Sequence, residues 1–258
     1  MEEFLKEHGG KCAIIVKDSH KDIPLLFPSI KRVITFKRLP PFQFLVAFAK
    51  FEPGHFAVGH PYFGNDLLED TPSYSTFKPF LTYLHINPNT IPAKPVISKQ
   101  SKRKAIELME ALGLPSGKTV VLIPYVASVK PLNGEWWYKI RDKLIEKGFT
   151  VITNVGPHEK PIPGTIGLSV PFNEIIPIAE YAGWVIGIRT GLFDILSSAN
   201  CKLTILYPKM KWRTSIVSND NVTAINVLSL KYARKDDLSE FEVDEFPDQA
   251  LLNKVVQI

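Results

Sequence analysis

From residue 100 onward the apolar positions fall into two alternating rhythms. Ile106, Met109 and Leu112 recur at helical spacing across Ser101–Leu112, and Gly113 and Pro115 then supply the expected stop. Thr119–Ile123 is a short aliphatic run that predicts a strand, Glu135–Glu146 is an amphipathic helix ended by Gly148, and Phe149–Thr153 is a second strand. The order then repeats: helix Phe172–Ala182, strand Trp184–Ile188, helix Leu192–Ala199, strand Leu203–Tyr207. Such alternation predicts βαβ units, and so a parallel sheet with helices on both faces.

Before residue 100 the same grammar runs in shorter form. It predicts a helix over Glu2–His8, strands over Cys12–Val16 and Val33–Phe36, a helix over Phe42–Ala49 and a strand over Phe56–Gly59. Between the halves, residues 86–102 hold Pro88, Pro92 and Pro95 with Asn87, Asn89 and Ser98, a composition suited to a connection. We expect one domain over residues 1–95 and a second over 96–258, with Phe246–Ile258 forming a terminal helix. No internal repeat of fixed period is present.

Composition narrows the class without naming a function. A chain of 258 residues with 45% hydrophobic and 22% charged residues is ordinary globular material. Cys12 and Cys201 lie far apart in apolar settings with no Cys-x-x-Cys pair, which points to a reduced, cytoplasmic protein. The longest apolar stretches, Pro41–Phe51 and Ile175–Ile188, are shorter than the roughly 20 residues that span a bilayer. A net charge of +5 favours an anionic partner. No basic run is interleaved with aromatics as a single-strand stacking platform would be, so nucleic acid is not the expected partner.

Chemistry is expected where strands hand over to helices, because ligands of open parallel sheets sit at the carboxyl ends of the strands. Arg189-Thr190-Gly191 occupies such a place, after Trp184–Ile188 and before the next helix. Thr190 suits an N-cap and Gly191 lets a ligand approach the backbone, so amide groups and the helix end would face an anion, with the Arg189 guanidinium added to a diphosphate. The residues alone leave open an ordinary capped turn with a solvated arginine. A second hydroxyl and cation, Ser128 and Lys130, follow the strand Thr119–Ile123 in an equivalent position.

The succession LIPYVASVK, a helix with Trp136-Trp137, FTVITNVGP, then PFNEIIPIAEYAGWVIGIRTGLFDILSSANCKLTILYP resembles the carboxyl-terminal domain of the heptosyltransferase-like glycosyltransferases. That family pairs Asp-Thr-Gly-Leu-x-His or Asp-Ser-Gly-x-x-His with the donor's diphosphate; Thr190, Gly191 and Leu192 match, Arg189 replaces the acidic residue and Asp194 stands in the histidine's place. Ser128 and Lys130 resemble the family's donor-phosphate pair, and Glu174 falls at its acidic position near the nucleoside. The resemblance implies an α/β, GT-B-like fold, with two Rossmann-like domains whose parallel sheets face a cleft. It further implies a shortened acceptor-side domain over 1–95, a nucleotide-sugar donor domain over 96–258, and an inverting hexosyl or heptosyl transfer to a glycan or glycolipid in surface polysaccharide biosynthesis. The donor is then a nucleotide-diphosphate sugar acting as substrate, no tightly bound cofactor is expected, and the sequence does not require a divalent metal.

The family opens with a strand and glycine-rich turn, whereas Cys12–Val16 after Glu2–His8 resembles its second strand; the expectation is that either the natural chain begins upstream or a shortened homologue has lost or moved the general base. His60 and Asp66 are its weak candidates; as solvated loop residues they would have no such role. His55 and His60, five apart around a strand, do not face one metal, and Asp18-Ser-His-Lys-Asp22 reads as a polar turn rather than a triad. The acidic stretch Asp236–Glu245 reads as a solvated face. Lys31, Arg32, Lys37 and Arg38 beside Pro41–Phe51 are the expected peripheral contact with the inner membrane surface. Two other functions fit the same architecture, a non-catalytic nucleotide-sugar-binding module and a sugar-nucleotide epimerase.

Overall fold

The computed structural model describes residues 14–37, 87, 90, 93–126, 131–208 and 237–257. The chain divides into two compact units, Met1–Val96 and Ile97–Ile258. In the first, β1 (Ile14–Lys17) pairs in parallel with β2 (Val33–Phe36), Ile14 opposite Val33 and Lys17 opposite Phe36. Parallel neighbours need a crossover, and here two 3-10 turns, Asp18–His20 and Pro24–Leu26, stand in for a helix. Leu26 is buried, and its carbonyl accepts from the Val96 N–H at 2.7 Å. The polar Asp18–Asp22 stretch is thus a turn after a strand. The elements expected at Glu2–His8, Phe42–Ala49 and Phe56–Gly59 lie outside the described residues.

The second unit holds a six-stranded parallel sheet in the order β5-β4-β3-β6-β7-β8. Its strands are β3 (Thr119–Ile123), β4 (Thr150–Asn154), β5 (Ile166–Leu168), β6 (Gly183–Ile188), β7 (Lys202–Pro208) and β8 (Leu238–Val243). Helix α3 (Phe172–Ala182) packs with α1 (Lys99–Ala111) and with α4 (Gly191–Leu196), while α2 (Gly134–Glu146) packs with α5 (Gln249–Val255). Short polar caps start them: Ser98 accepts from Ser101 N at 3.0 Å, Asn133 from Glu135 N at 3.0 Å and Asp248 from Leu251 N at 3.0 Å. Among the described residues no helix is long and apolar enough to cross a membrane.

All five residues of β3 are buried, as a strand covered on both faces requires. Val120, Leu122, Trp184, Ile186 and Ile188 belong to one core with Trp136, Ile140, Leu144, Leu252 and Val255 of α2 and α5. Trp136 is wholly buried, and its indole N–H donates to the Asp244 carbonyl at 3.0 Å, so its one polar atom is satisfied.

Two strands differ from the expectation. β5 has three residues, too few to leave a periodic signal. β8 lies in the acidic stretch expected to be a solvated face, yet it pairs with β7 from Leu203↔Leu238 to Pro208↔Val243. Val243 is fully buried and Phe241 packs on the core beside it, while the Tyr207 hydroxyl donates to Glu240. The charges masked a period-2 pattern whose apolar members are Phe241 and Val243.

Gly187 sets how closely β6 can lie to its neighbours. A Cβ there would stand 2.6 Å from Ile123 Cβ, 2.7 Å from the Ile123 carbonyl oxygen and 3.0 Å from Phe193 Cε2. Alanine would gain about 0.4–1 kcal/mol by stiffening the unfolded chain, but overpacking a filled core costs about 1–3 kcal/mol. Gly187→Ala is therefore expected to lower the unfolding free energy by a net amount on the order of 1–2 kcal/mol. Denaturant titration checks this, and an unchanged or raised midpoint would contradict the packing argument.

Candidate functional site

Strand order runs out from β3 through β4 to β5 on one side, then returns to β6 beside β3 and runs out through β7 and β8 on the other. At such a reversal the connections leave neighbouring strands toward opposite faces and open a crevice at the carboxyl ends. β3 and β6 are those two strands, with Ile123 level with Gly187. The turns singled out by sequence, 124–130 and Arg189–Gly191, begin at these adjacent ends. Ser128 and Lys130 lie outside the described residues, as do His60 and Asp66.

The β6 ladder continues one residue beyond the strand, Arg189 N donating to the Leu206 carbonyl at 3.0 Å. By alternation Arg189 shares a face with Val185 and Gly187, the face that α4 covers with fully buried Phe193. Thr190 then caps α4: its Oγ1 accepts from Leu192 N at 3.2 Å, and its carbonyl from Phe193 N at 3.0 Å. Two amides of the first turn are thus committed to the cap, and α4, expected over Leu192–Ala199, has only the six residues Gly191–Leu196. Gly191 is exposed, and a Cβ there would meet only Asp194 Oδ2, at 4.0 Å. The approach to its backbone is open.

The Arg189 side chain does not extend toward an outside anion, as the sequence suggested. Its Nη2 lies 2.6 Å from Asp194 Oδ1, and its Nη1 donates to the Thr190 carbonyl. The side chain is 9% exposed, against 38% for Asp194. The two departures from the Asp-Thr-Gly-Leu-x-His pattern are therefore partners, with the cation now first and the anion last. Burial pushes the Asp194 carboxyl above its ordinary value, and the charge and hydrogen bond of Arg189 pull against that without cancelling it.

Glu174 lies half-buried in the first turn of α3, its N–H donating to the Pro171 carbonyl at 2.9 Å. Because α3 runs back to the start of β6, this turn stands at the carboxyl edge of the sheet. Beside it, Asn173 Nδ2 donates to the buried Ser101 hydroxyl at 3.2 Å, while Asn173 Oδ1 is buried without a hydrogen-bond partner. Pro177, inside α3, has no N–H to give the Asn173 carbonyl. Acceptor oxygens thus gather next to Glu174. Sequence reading missed Asn173, and the signal that marks it is the proline four positions on.

Tyr125, also missed, follows β3 directly. Its hydroxyl donates to the Lys160 carbonyl, which ties the turn after β3 to the loop after β4. Burial raises its pKa, with Glu159 and Tyr138 adding to the effect. Among the described residues no group of three His, Cys, Asp or Glu side chains is arranged to hold a metal ion.

No protein-family model matches the sequence, and no curated protein matches it. Solved structures do. A glycosyl transferase of family 9 from Veillonella parvula superposes with a TM-score of 0.58 at 10% identity, covering 94% of this chain and 79% of that one. The ADP-heptose LPS heptosyltransferase II of E. coli gives 0.49 at 10% identity, covering 83% and 81%. The fold is that of a family 9 glycosyl transferase. The α/β, GT-B-like class expected from the sequence is thus observed. Within this family 9 fold, Arg189–Asp194 lies on the turn after β6 and Glu174 on the first turn of α3.

The raised Asp194 pKa means that the folded protein holds this proton to higher pH than the unfolded chain. Its contribution to stability is greatest in acid and falls as pH rises from the ordinary aspartate value of about 3.9 through the raised one. The stability difference between the parent and Asp194→Asn should therefore move against the parent between about pH 4 and pH 7. Paired thermal denaturations across that range measure it, and a difference independent of pH would refute the burial argument.

Proposed function

We propose that this chain is a glycosyltransferase that moves a sugar from a nucleotide-diphosphate donor to a glycan or glycolipid acceptor, with inversion, in the building of a surface polysaccharide. The observation that supports it most is the turn after β6. On a family 9 fold, at the strand-order reversal, it presents an exposed glycine whose missing side chain no protein atom fills. Such a glycine allows phosphate oxygens to reach the backbone.

The chemistry sets the remaining roles. An acceptor hydroxyl attacks the anomeric carbon, the bond from that carbon to the diphosphate oxygen breaks, and a base takes the hydroxyl proton. The departing diphosphate gains negative charge, which amides and cations aimed at it stabilise. Gly191 supplies the backbone amide, with Thr190 and Leu192 closing the cap that holds it, Ser128 and Lys130 would supply a hydroxyl and a cation, and Arg189 with Asp194 shape the first turn. Glu174 offers an acceptor to nucleoside hydroxyls. His60 and Asp66 are the candidate bases. The donor enters as substrate, and no resident cofactor is invoked.

Titration with ADP, GDP, UDP and CMP tests the donor reading. A ligand at about 100 times its Kd stabilises by about 2.7 kcal/mol, enough to raise Tm by several degrees at this size. One nucleoside diphosphate should shift the parent, and Gly191→Ala should keep the parent's own Tm, since its Cβ meets nothing closer than 4.0 Å, while losing most of the shift. No shift with any nucleotide would reject the donor site. Release of that nucleotide from its sugar conjugate only when an acceptor glycan is present would separate a transferase from a binding module or an epimerase.

A lipid-borne acceptor would be met at the inner membrane face, where Lys31, Arg32, Lys37 and Arg38 would attract anionic headgroups at about 1 kcal/mol per charge. Reversing these four charges should sharply reduce flotation with anionic liposomes. Equal flotation of parent and variant would remove the membrane contact.

A further inference from the structure

Helix α1 buries one stripe of residues and shows another. Ser101, Ala105 and Met109 recur every four positions and are buried, on the side where Ser101 meets Asn173 of α3. Lys99, Lys102, Arg103 and Ile106, at i, i+3, i+4 and i+7, fall on a separate stripe. Its three cations are exposed, and Ile106 among them is 41% exposed. Arg103 pairs with Glu107 at 2.7 Å, whereas Lys99 and Lys102 have no ion pair among the described residues. Nothing in the fold calls for these charges. The aligned peptides of a helix make its amino end positive, so acids stabilise the first turn and bases the last. Helix α1 has no acid in its first turn and no base in its last; it runs instead from Lys99, Lys102, Arg103 and Lys104 to Glu107 and Glu110. This gradient opposes the helix dipole and works against the stability of the helix.

We propose that this stripe of α1 is a docking surface for an anionic lipid bilayer, with Lys99, Lys102 and Arg103 at the headgroups and Ile106 seated among them. From Lys99 to Ile106 the stripe extends roughly 10 Å along the helix, at about 1.5 Å per residue. That spread suits a continuous charged surface better than one bound anion. Lysine suits it too, as a point charge on a flexible stem, where a single phosphate or carboxylate favours the arginine fork. Ile106 decides between polyanions. A bilayer accepts an apolar side chain beneath its headgroups, and binding there grows with charge and with buried apolar area together. The phosphates of a nucleic acid would leave Ile106 in water, and α1 carries no aromatic residue on which bases could stack. The inference needs neither a donor nor transfer chemistry. It goes beyond the proposed function by giving the second unit its own contact with a lipid surface, separate from Lys31, Arg32, Lys37 and Arg38 of the first.

Flotation at about 0.1 M salt, where charges act over about 10 Å, is measured with vesicles of equal parts phosphatidylglycerol and phosphatidylcholine and with phosphatidylcholine alone. The proteins are the parent, Lys99→Glu with Lys102→Glu, Ile106→Ser, and Lys147→Glu with Lys254→Glu, a charge-matched control at two exposed lysines of α2's end and α5. The parent should float with the anionic vesicles and not with the neutral ones. Each lysine near such a surface is worth about fivefold in partitioning, so the α1 pair should lose on the order of thirtyfold. Ile106→Ser should lose about fivefold, and the control should stay within about twofold. No flotation of the parent, an unchanged α1 pair, or an equal loss in the control would overturn the docking surface. So would undiminished flotation of Ile106→Ser, or tighter binding of a single-stranded RNA oligomer than of the vesicles through the same two lysines. Reversal of the four first-unit cations reads the other contact and leaves this comparison intact.

Thermal unfolding of the same proteins separates docking from a role in the fold. Acids at 99 and 102 suit the positive helix end, and a glutamate at 99 stands four residues before Arg103, the favourable order for an ion pair. The Tm of the α1 pair should therefore equal or exceed the parent's, so that lost flotation comes from a protein at least as stable. A Tm several degrees below the parent's would show that the two lysines serve the helix itself, and would overturn the docking role.

Discussion

The second unit depends on how near β6 can come to β3 and α4 at Gly187. The ladder from Thr119↔Gly183 to Ile123↔Gly187 brings the two strands together where strand order reverses. At its last rung there is no room for one more carbon, because Ile123 and Phe193 already fill it. That contact seats Phe193, and with it the start of α4, directly over the strand end. A larger residue at 187 would push the helix away and carry Thr190 and Gly191 with it. The position of the candidate site is thus set by a packing limit one turn beneath it.

Close seating also explains what Arg189 does. A strand end pointing into solvent would leave its guanidinium hydrated, whereas one covered by a helix start brings it against the helix's first-turn groups. Here those are the Thr190 carbonyl and the Asp194 carboxylate. Ion pairs removed from water must be well closed to offset the loss of hydration. This one adds a charged hydrogen bond at 2.6 Å and a contact to the backbone. Burial still raises the Asp194 pKa despite its partner, so desolvation outweighs the attraction of Arg189, and the pair fixes geometry more than it adds net stability.

Polar groups collect along the carboxyl edge because a parallel sheet with helices on both faces has nowhere else to put them. β3 is buried along its whole length, and the polar chemistry of the unit is displaced to the strand ends and the helix starts. Tyr125 ties the first of these turns to the loop after β4, Asn173 joins the starts of α3 and α1, and Pro177 leaves the Asn173 carbonyl without its usual donor. A nucleotide sugar, with a diphosphate at one end and hydroxyls at the other, suits an edge that offers amides in one place and acceptors in another.

The sequence by itself determined the elements that repeat over several turns or fill a whole strand. Helices α1, α2 and α3 and strands β3, β4, β6 and β7 stand where apolar period and glycine stops put them, since burial of one helix face or of a central strand leaves a local pattern. It also marked Arg189-Thr190-Gly191 as unusual, because those residues follow an apolar run. Short or charged strands escaped it: β5 has too few residues for a period, and in β8 acidic side chains hid Phe241 and Val243. Only the tertiary structure decided that β3 lies beside β6, that Gly187 has no space around it, and that Arg189 closes on Asp194 rather than pointing outward. Each of these depends on which face of a strand a distant helix covers, and no residue's own chemistry encodes that.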